Sequence, residues 1–165
     1  SPFRYYKEYA TNGGIIATMI VSGPMVAEKN SIAQDFLTVM DIAPTLYEIA
    51  NIDYPEEFNG TTLFPLKGKS LVPFISAKVS TIHTEDYIFG LEHIGNTILR
   101  SLQWKITNFS DPFSLSEFNL YNLEEDLGEI NDLKNTNPQK YQEMYQEWTN
   151  FASEIKLQVP GIQYD

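Results

Sequence analysis

Apolar residues recur in the last third of the chain with helical rhythm. Tyr141, Met144, Tyr145, Trp148, Phe151, Ala152 and Ile155 fall at steps of three and one, the spacing that lines one face of an α-helix. Asn137-Pro138 ahead of them supplies an N-cap acceptor and a proline suited to the first helical position. The pattern predicts a helix from Asn137 to about Leu157 whose aromatic stripe packs on a sheet. Before it, Tyr87-Ile88-Phe89-Gly90, Thr97-Ile98-Leu99-Arg100, Trp104-Lys105-Ile106-Thr107 and Phe118-Asn119-Leu120-Tyr121 recur about every ten residues, which predicts an antiparallel sheet.

The first half has a different grammar. Gly13-Gly14 precedes the run Ile15-Ile16-Ala17-Thr18-Met19-Ile20-Val21, closed by Ser22-Gly23-Pro24, and a short apolar run between turn signals predicts a buried, parallel strand. Phe36-Leu37-Thr38-Val39-Met40 predicts a second strand or an extended lead-in, with Asp41 at a helix N-cap and Pro44 inside the first turn. Leu46, Tyr47, Ile49 and Ala50 continue as a helical stripe that stops near Asn51. Strand followed by helix is α/β grammar. The expected fold class is therefore α/β plus α+β, with residues 1–82 closing a large α/β domain and residues 83–165 forming a small subdomain.

Composition fits a globular chain of 165 residues, 42% hydrophobic and 13% aromatic, a size that buries roughly 70% of its unfolded surface. Net charge of −11 argues against a nucleic-acid partner, since phosphate binding needs clustered basic side chains. The excess is uneven: residues 1–82 carry eight acids and six bases, residues 83–165 fourteen acids and five bases. Glu124, Glu125, Asp126, Glu129 and Asp132 hold much of it and read as a solvated turn region, without EF-hand spacing. The chain contains no cysteine, which excludes disulfides, thiolate metal sites and a cysteine nucleophile within it. Its longest apolar stretch, Ile15 to Val21, falls far short of the ~20 residues of a membrane span. Ser1-Pro2-Phe3-Arg4 does not open a signal peptide, and without an initiator Met the chain reads as beginning inside something larger.

Candidate chemistry is sparse. His83 and His93 are the only histidines, their spacing matches no metal motif, and each reads as structural or exposed. G-x-S-x-G, H-E-x-x-H and phosphate-cradling glycine loops are absent from the sequence. The exception is Lys7-Glu8-Tyr9-Ala10-Thr11-Asn12-Gly13-Gly14-Ile15. A lysine close to a double glycine that leads into a strand can be held at a strand edge, where glycines permit close backbone approach to an anion. Taken without any outside comparison, Lys7 reads as a surface lysine.

From end to end the chain resembles the C-terminal part of a sulfatase of the alkaline-phosphatase superfamily, particularly the bacterial arylsulfatases. Arg4-Tyr5-Tyr6-Lys7-Glu8-Tyr9 with Gly13-Gly14-Ile15 resembles the family's lysine segment entering a late strand. Thr38-Val39-Met40-Asp41-Ile42-Ala43-Pro44-Thr45-Leu46 is similar to its V-M-D-x-x-P-T-L helix start, and Gly68-Lys69-Ser70-Leu71 to its G-x-S-L element. Ile98-Leu99-Arg100-Ser101-Leu102-Gln103-Trp104-Lys105 resembles the I-R-x-G-x-W-K strand pair. Leu120-Tyr121-Asn122-Leu123-Glu124-Glu125-Asp126, continuing through Gly128-Glu129 to Asp132-Leu133, resembles the L-Y-D-L-x-x-D-P-x-E-x-x-D-L hairpin.

The resemblance implies an enzyme that hydrolyses sulfate esters with a formylglycine made in a C/S-x-P-S-R motif and a divalent cation, usually calcium. Neither the nucleophile motif nor the metal motifs occur in this sequence, so both are expected from an N-terminal portion of the same sulfatase. The one site residue carried over is Lys7, implied to contact sulfate. A sulfated sugar or small molecule is the implied substrate, and export to the periplasm or beyond is common among relatives. The chain departs from the family's E-G-G-I-R-x-P at Asn12-Gly13-Gly14-Ile15-Ile16-Ala17-Thr18, has Gln34 where a histidine is frequent, and reads Asp126-Leu127-Gly128-Glu129 for D-P-x-E. Two rival expectations remain: a non-catalytic binding or structural module derived from a sulfatase, and a phosphatase or phosphonate hydrolase of the same superfamily.

Overall fold

A four-stranded antiparallel sheet covered on both faces organises much of the molecule. The computed structural model describes residues 2–158. In chain order it shows a one-turn helix α1 (Asn12–Ile15), a 3-10 turn (Val39–Asp41) running into α2 (Ile42–Ala50), two-residue strands β1 (Glu57–Phe58) and β2 (Thr61–Thr62), and a one-turn helix α3 (Val72–Ile75). Strands β3 (Ile88–His93), β4 (Asn96–Ser101), β5 (Trp104–Asn108) and β6 (Asn119–Asn122) follow, with helix α4 (Pro138–Glu154) after them. The described residues form two units, 2–18 with 85–158, and Met19–Thr84. Residues 2–18 thus group with the second half of the chain.

In the first unit the sheet runs β3-β4-β5-β6, all four strands where the apolar runs predicted them. Its register places Gly90 opposite Leu99, Leu99 opposite Ile106 and Ile106 opposite Leu120. Because side chains alternate along a strand, these residues share one face, and Leu99, Ile106 and Leu120 pack with Tyr141, Met144, Trp148 and Ala152 of α4. Asn137 accepts from the Lys140 N–H at the start of that helix, as its sequence predicted. The Trp148 indole is fully buried and donates to Thr97 Oγ1 at 2.8 Å, which satisfies the ring's polar atom inside the core. Gly90 is glycine because of close approach: a Cβ there would lie 2.5 Å from the Phe151 ring.

The opposite face is set by the alternate register, in which Arg100 opposes Lys105 and Lys105 opposes Tyr121. Residues 4–12 cover it, through contacts described below.

One predicted element is corrected. Ile15–Val21 is not a strand: Ile15 ends α1, and Ile16 onward runs without a ladder, Ile20 being 89% exposed. The run has a buried strand's composition, but a strand exists only when a neighbour accepts its backbone hydrogen bonds. Among the described residues, no strand lies beside it.

In the second unit Asp41 organises the chain. It sits at the N-cap position of α2, yet its carboxylate turns back, accepting from the Thr38 N–H at 2.6 Å, the Lys69 N–H at 2.8 Å and facing His83 Nε2 at 2.9 Å. Phe36–Met40 is thus the extended lead-in alternative, ending in the 3-10 turn, and His83 is buried as the structural histidine. Thr45 extends the network by donating to the Asp41 carbonyl and accepting from the Leu71 N–H. Asn51 closes α2 in the left-handed conformation, which asparagine tolerates at a helix end.

Burial would raise the Asp41 carboxyl, but the bonds from His83, Thr38 and Lys69 outweigh it and hold it below its ordinary 3.8. Stability from a depressed carboxyl is complete above the ordinary value and is lost as pH falls toward the folded one. Asp41→Asn is expected to cost about 1.5–3 kcal/mol near neutrality and to flatten the acid limb of a urea-midpoint profile. Parallel acid limbs for the two proteins would show that Asp41 is not the group responsible.

Candidate functional site

The Lys7 segment is a closed turn. Gly13 N–H donates to the Arg4 carbonyl at 3.1 Å, Thr11 Oγ1 donates to the same carbonyl at 2.6 Å, and Tyr9 N–H donates to Tyr6 O at 3.2 Å. Tyr5 and Glu8 adopt positive φ to make it. The double glycine serves this turn. A Cβ on Gly13 would lie 2.2 Å from the Tyr5 carbonyl oxygen, and one on Gly14 1.9 Å from that of Tyr9. The glycines therefore admit the turn's own backbone, where the sequence pointed to an anion's approach at a strand edge. Lys7 stands exposed on the turn.

Two anchors hold the turn on the sheet. At one end Arg4 Nη1 donates to Tyr121 Oη at 2.6 Å, with the guanidinium 5.0 Å from the Tyr5 ring centroid and 6.0 Å from that of Phe109. At the other, Lys105 Nζ donates to the Ala10 carbonyl at 3.0 Å and to Asn12 Oδ1 at 3.1 Å, and pairs with Glu129 Oε1 at 2.6 Å. Those three partners match the three N–H donors of an ammonium. Glu129 Oε2 accepts the Asn12 N–H at 2.8 Å, and Asn12 Nδ2 donates to the Leu127 carbonyl at 2.9 Å. Lys105 is 0%, Asn12 1% and Glu129 2% exposed. Burial pushes the Lys105 ammonium down to about 8, with Glu129 pulling it the other way.

Sequence reasoning missed this cluster. In sequence Glu129 belongs to the acidic run that reads as a solvated turn, and the structure corrects that: its carboxylate is inside. Its neighbours there bind backbone instead, Asp126 accepting from the Ile130 and Asn131 N–H groups and Asp132 from that of Leu120. The available signal was register. A lysine in the middle of an apolar strand, flanked by Trp104 and Ile106, has to find an acid.

Beside Arg4 lies an open depression of about 480 Å³ lined by Phe3, Arg4, Asn119, Tyr121 and Ile130 among others. His93 is exposed at the end of β3. Among the described residues, no group of three or more His, Asp or Glu side chains converges to hold a metal. None of the described helices is long and apolar enough to cross a membrane.

In sequence and fold the chain is similar to known sulfatases. The family model described as N-sulphoglucosamine sulphohydrolase, C-terminal, matches residues 3–156, and the chain belongs to that family. It is 29% identical over 156 residues to an uncharacterized sulfatase of Schizosaccharomyces pombe, covering 93% of this chain and 28% of the relative. It is 26% identical over 149 residues to arylsulfatase K of Xenopus laevis, covering 86% and 26%. Among solved structures, a 2-O GAG sulfatase superposes with a TM-score of 0.59 at 19% identity, over 87% of this chain and 31% of that one. That superposition shows the shared fold. The chain thus spans between a quarter and a third of the length of these relatives.

Removing one member of a buried ion pair leaves the other uncompensated, at about 3–5 kcal/mol. Lys105→Met and Glu129→Leu are each expected to cost that much in urea unfolding, while the double variant costs less than the two single losses added, the part not recovered being the Ala10 and Asn12 groups left without partners. A double variant as unstable as the two single losses added together would disprove the coupling.

Proposed function

We propose that this chain works as the C-terminal portion of a sulfatase hydrolysing sulfate esters of a sugar or small molecule, with Lys7 placing its ammonium on a sulfate or leaving-group oxygen. The carrying observation is the family match over residues 3–156, supported by arylsulfatase relatives. For Lys7 the support is local: its turn is braced by two anchors and two glycines, yet the lysine itself faces outward. A fixed cation suits a reaction in which negative charge develops on oxygen. On this reading the nucleophile and the calcium ligands are contributed by an N-terminal portion of the same enzyme, which would supply the attacking oxygen and a divalent cation to stabilise charge.

The 165-residue chain by itself is expected to release no product from an aryl sulfate, with or without added calcium; turnover above a buffer blank would refute this division of labour. A reading frame that continues upstream of Ser1 into C/S-x-P-S-R supports the enzyme, whereas a start codon adjacent to Ser1 sinks it. In the complete enzyme Lys7→Ala is expected to lower turnover by ~10²–10³, with Lys7→Arg recovering part of it. Unchanged turnover in Lys7→Ala would remove the lysine from the site.

A further inference from the structure

We infer that Lys105 and Glu129 are positioning residues for Lys7: their buried pair fixes Ala10 and Asn12 on the sheet and thereby holds the turn that carries the Lys7 ammonium. The inference rests on the proposed role of Lys7 and extends it to residues that contact neither substrate nor Lys7.

The connection is continuous. Lys105 Nζ takes the Ala10 carbonyl and Asn12 Oδ1, and Glu129 Oε2 takes the Asn12 N–H. Thr11, between them and fully buried, donates to the Arg4 carbonyl, the oxygen to which Gly13 N–H also donates. Arg4 then returns to the sheet through Tyr121, the residue directly opposite Lys105 in the β5–β6 register. Both feet of the turn therefore stand on one cross-strand pair, and Lys7 lies between them.

The pair does more here than fill space. A hydrophobic pair of the same volume could fill the sheet face, but it would offer nothing to the Ala10 carbonyl, Asn12 N–H or Asn12 Oδ1. Those buried groups require partners, and the ion pair supplies three of them within one segment. Asn12 Nδ2 reaches the Leu127 carbonyl, tying the same residue to the loop that bears Glu129.

The test is amide hydrogen exchange on the full chain, comparing Tyr9 and Gly13 in the turn with Leu99 and Ile106 in the sheet. Local opening changes exchange only where contacts are lost, and global unfolding changes it everywhere. Lys105→Met is expected to speed exchange of the turn amides about tenfold or more, to near the unprotected rate, while the sheet amides, though faster through the loss of global stability, stay protected. Asn12→Ala, which leaves the ion pair in place and cuts its side-chain link to the turn, is expected to move the same amides in the same direction, and decides the matter if Lys105→Met does not fold. Turn amides unchanged in Asn12→Ala, or turn amides that keep their protection in Lys105→Met, would overturn the positioning role. No substrate enters this measurement, so its outcome is separate from that of Lys7→Ala.

Discussion

Two opposite charges 2.6 Å apart, with both side chains shut off from water, set the terms for the first unit. Removing an ammonium and a carboxylate from water costs several kcal/mol each, and mutual attraction repays that only when the remaining donors and acceptors are also met. Lys105 and Glu129 meet them with the backbone and side chain of residues 10–12. The pair is thus incomplete without that segment, and the segment's buried polar groups are incomplete without the pair. Residues more than ninety positions apart in the chain are satisfied together or left wanting together.

That dependence explains why one small sheet has two unlike faces. The face carrying Leu99, Ile106 and Leu120 is closed by α4 through apolar contact, which tolerates modest shifts because it has no direction. The face carrying Arg100, Lys105 and Tyr121 closes on residues 4–12 through hydrogen bonds, which fix distance and angle. The strand register assigns each residue to its side, and slipping it by one position would exchange the two sets. Helix and lysine turn are therefore placed by the same alignment of β5 against β4 and β6.

The parts legible in the sequence were those whose physics is periodic and local. The stripe from Tyr141 to Ala152 and the Asn137-Pro138 start define α4 without reference to anything distant, and the four strands announce themselves by spacing and β-branched content. Ile15–Val21 shows the limit. Its composition reports what the segment is built to contact, and cannot report whether a neighbour stands there. Asp41, read from sequence as a cap, instead spends its carboxylate on His83 and Lys69, forty-two and twenty-eight residues away. Glu129 was hidden for a related reason: four other acids surround it in sequence, and only the fold separates the one facing inward. The lysine turn was found through family likeness, while its glycines had a purpose, approach of their own backbone, that the motif does not reveal.

The two lysines of this unit divide what a cation can do. Lys105 is dehydrated, which weakens its hold on its proton, and its three donors are committed inside. Lys7 remains in water, where its charge is screened and its attraction for an anion is small. A lysine that neutralises a developing oxyanion must be both fixed and dehydrated, because the same charge acts far more strongly once water is excluded. The turn supplies the first condition by chaining Lys7 to Tyr121 and Lys105. On the proposed function the second has to come from a wall closing over the turn, and relatives about three times as long as this chain have the chain length to build one. Fixing and dehydration would then be contributed by different portions of one enzyme, with activity arising only where they meet.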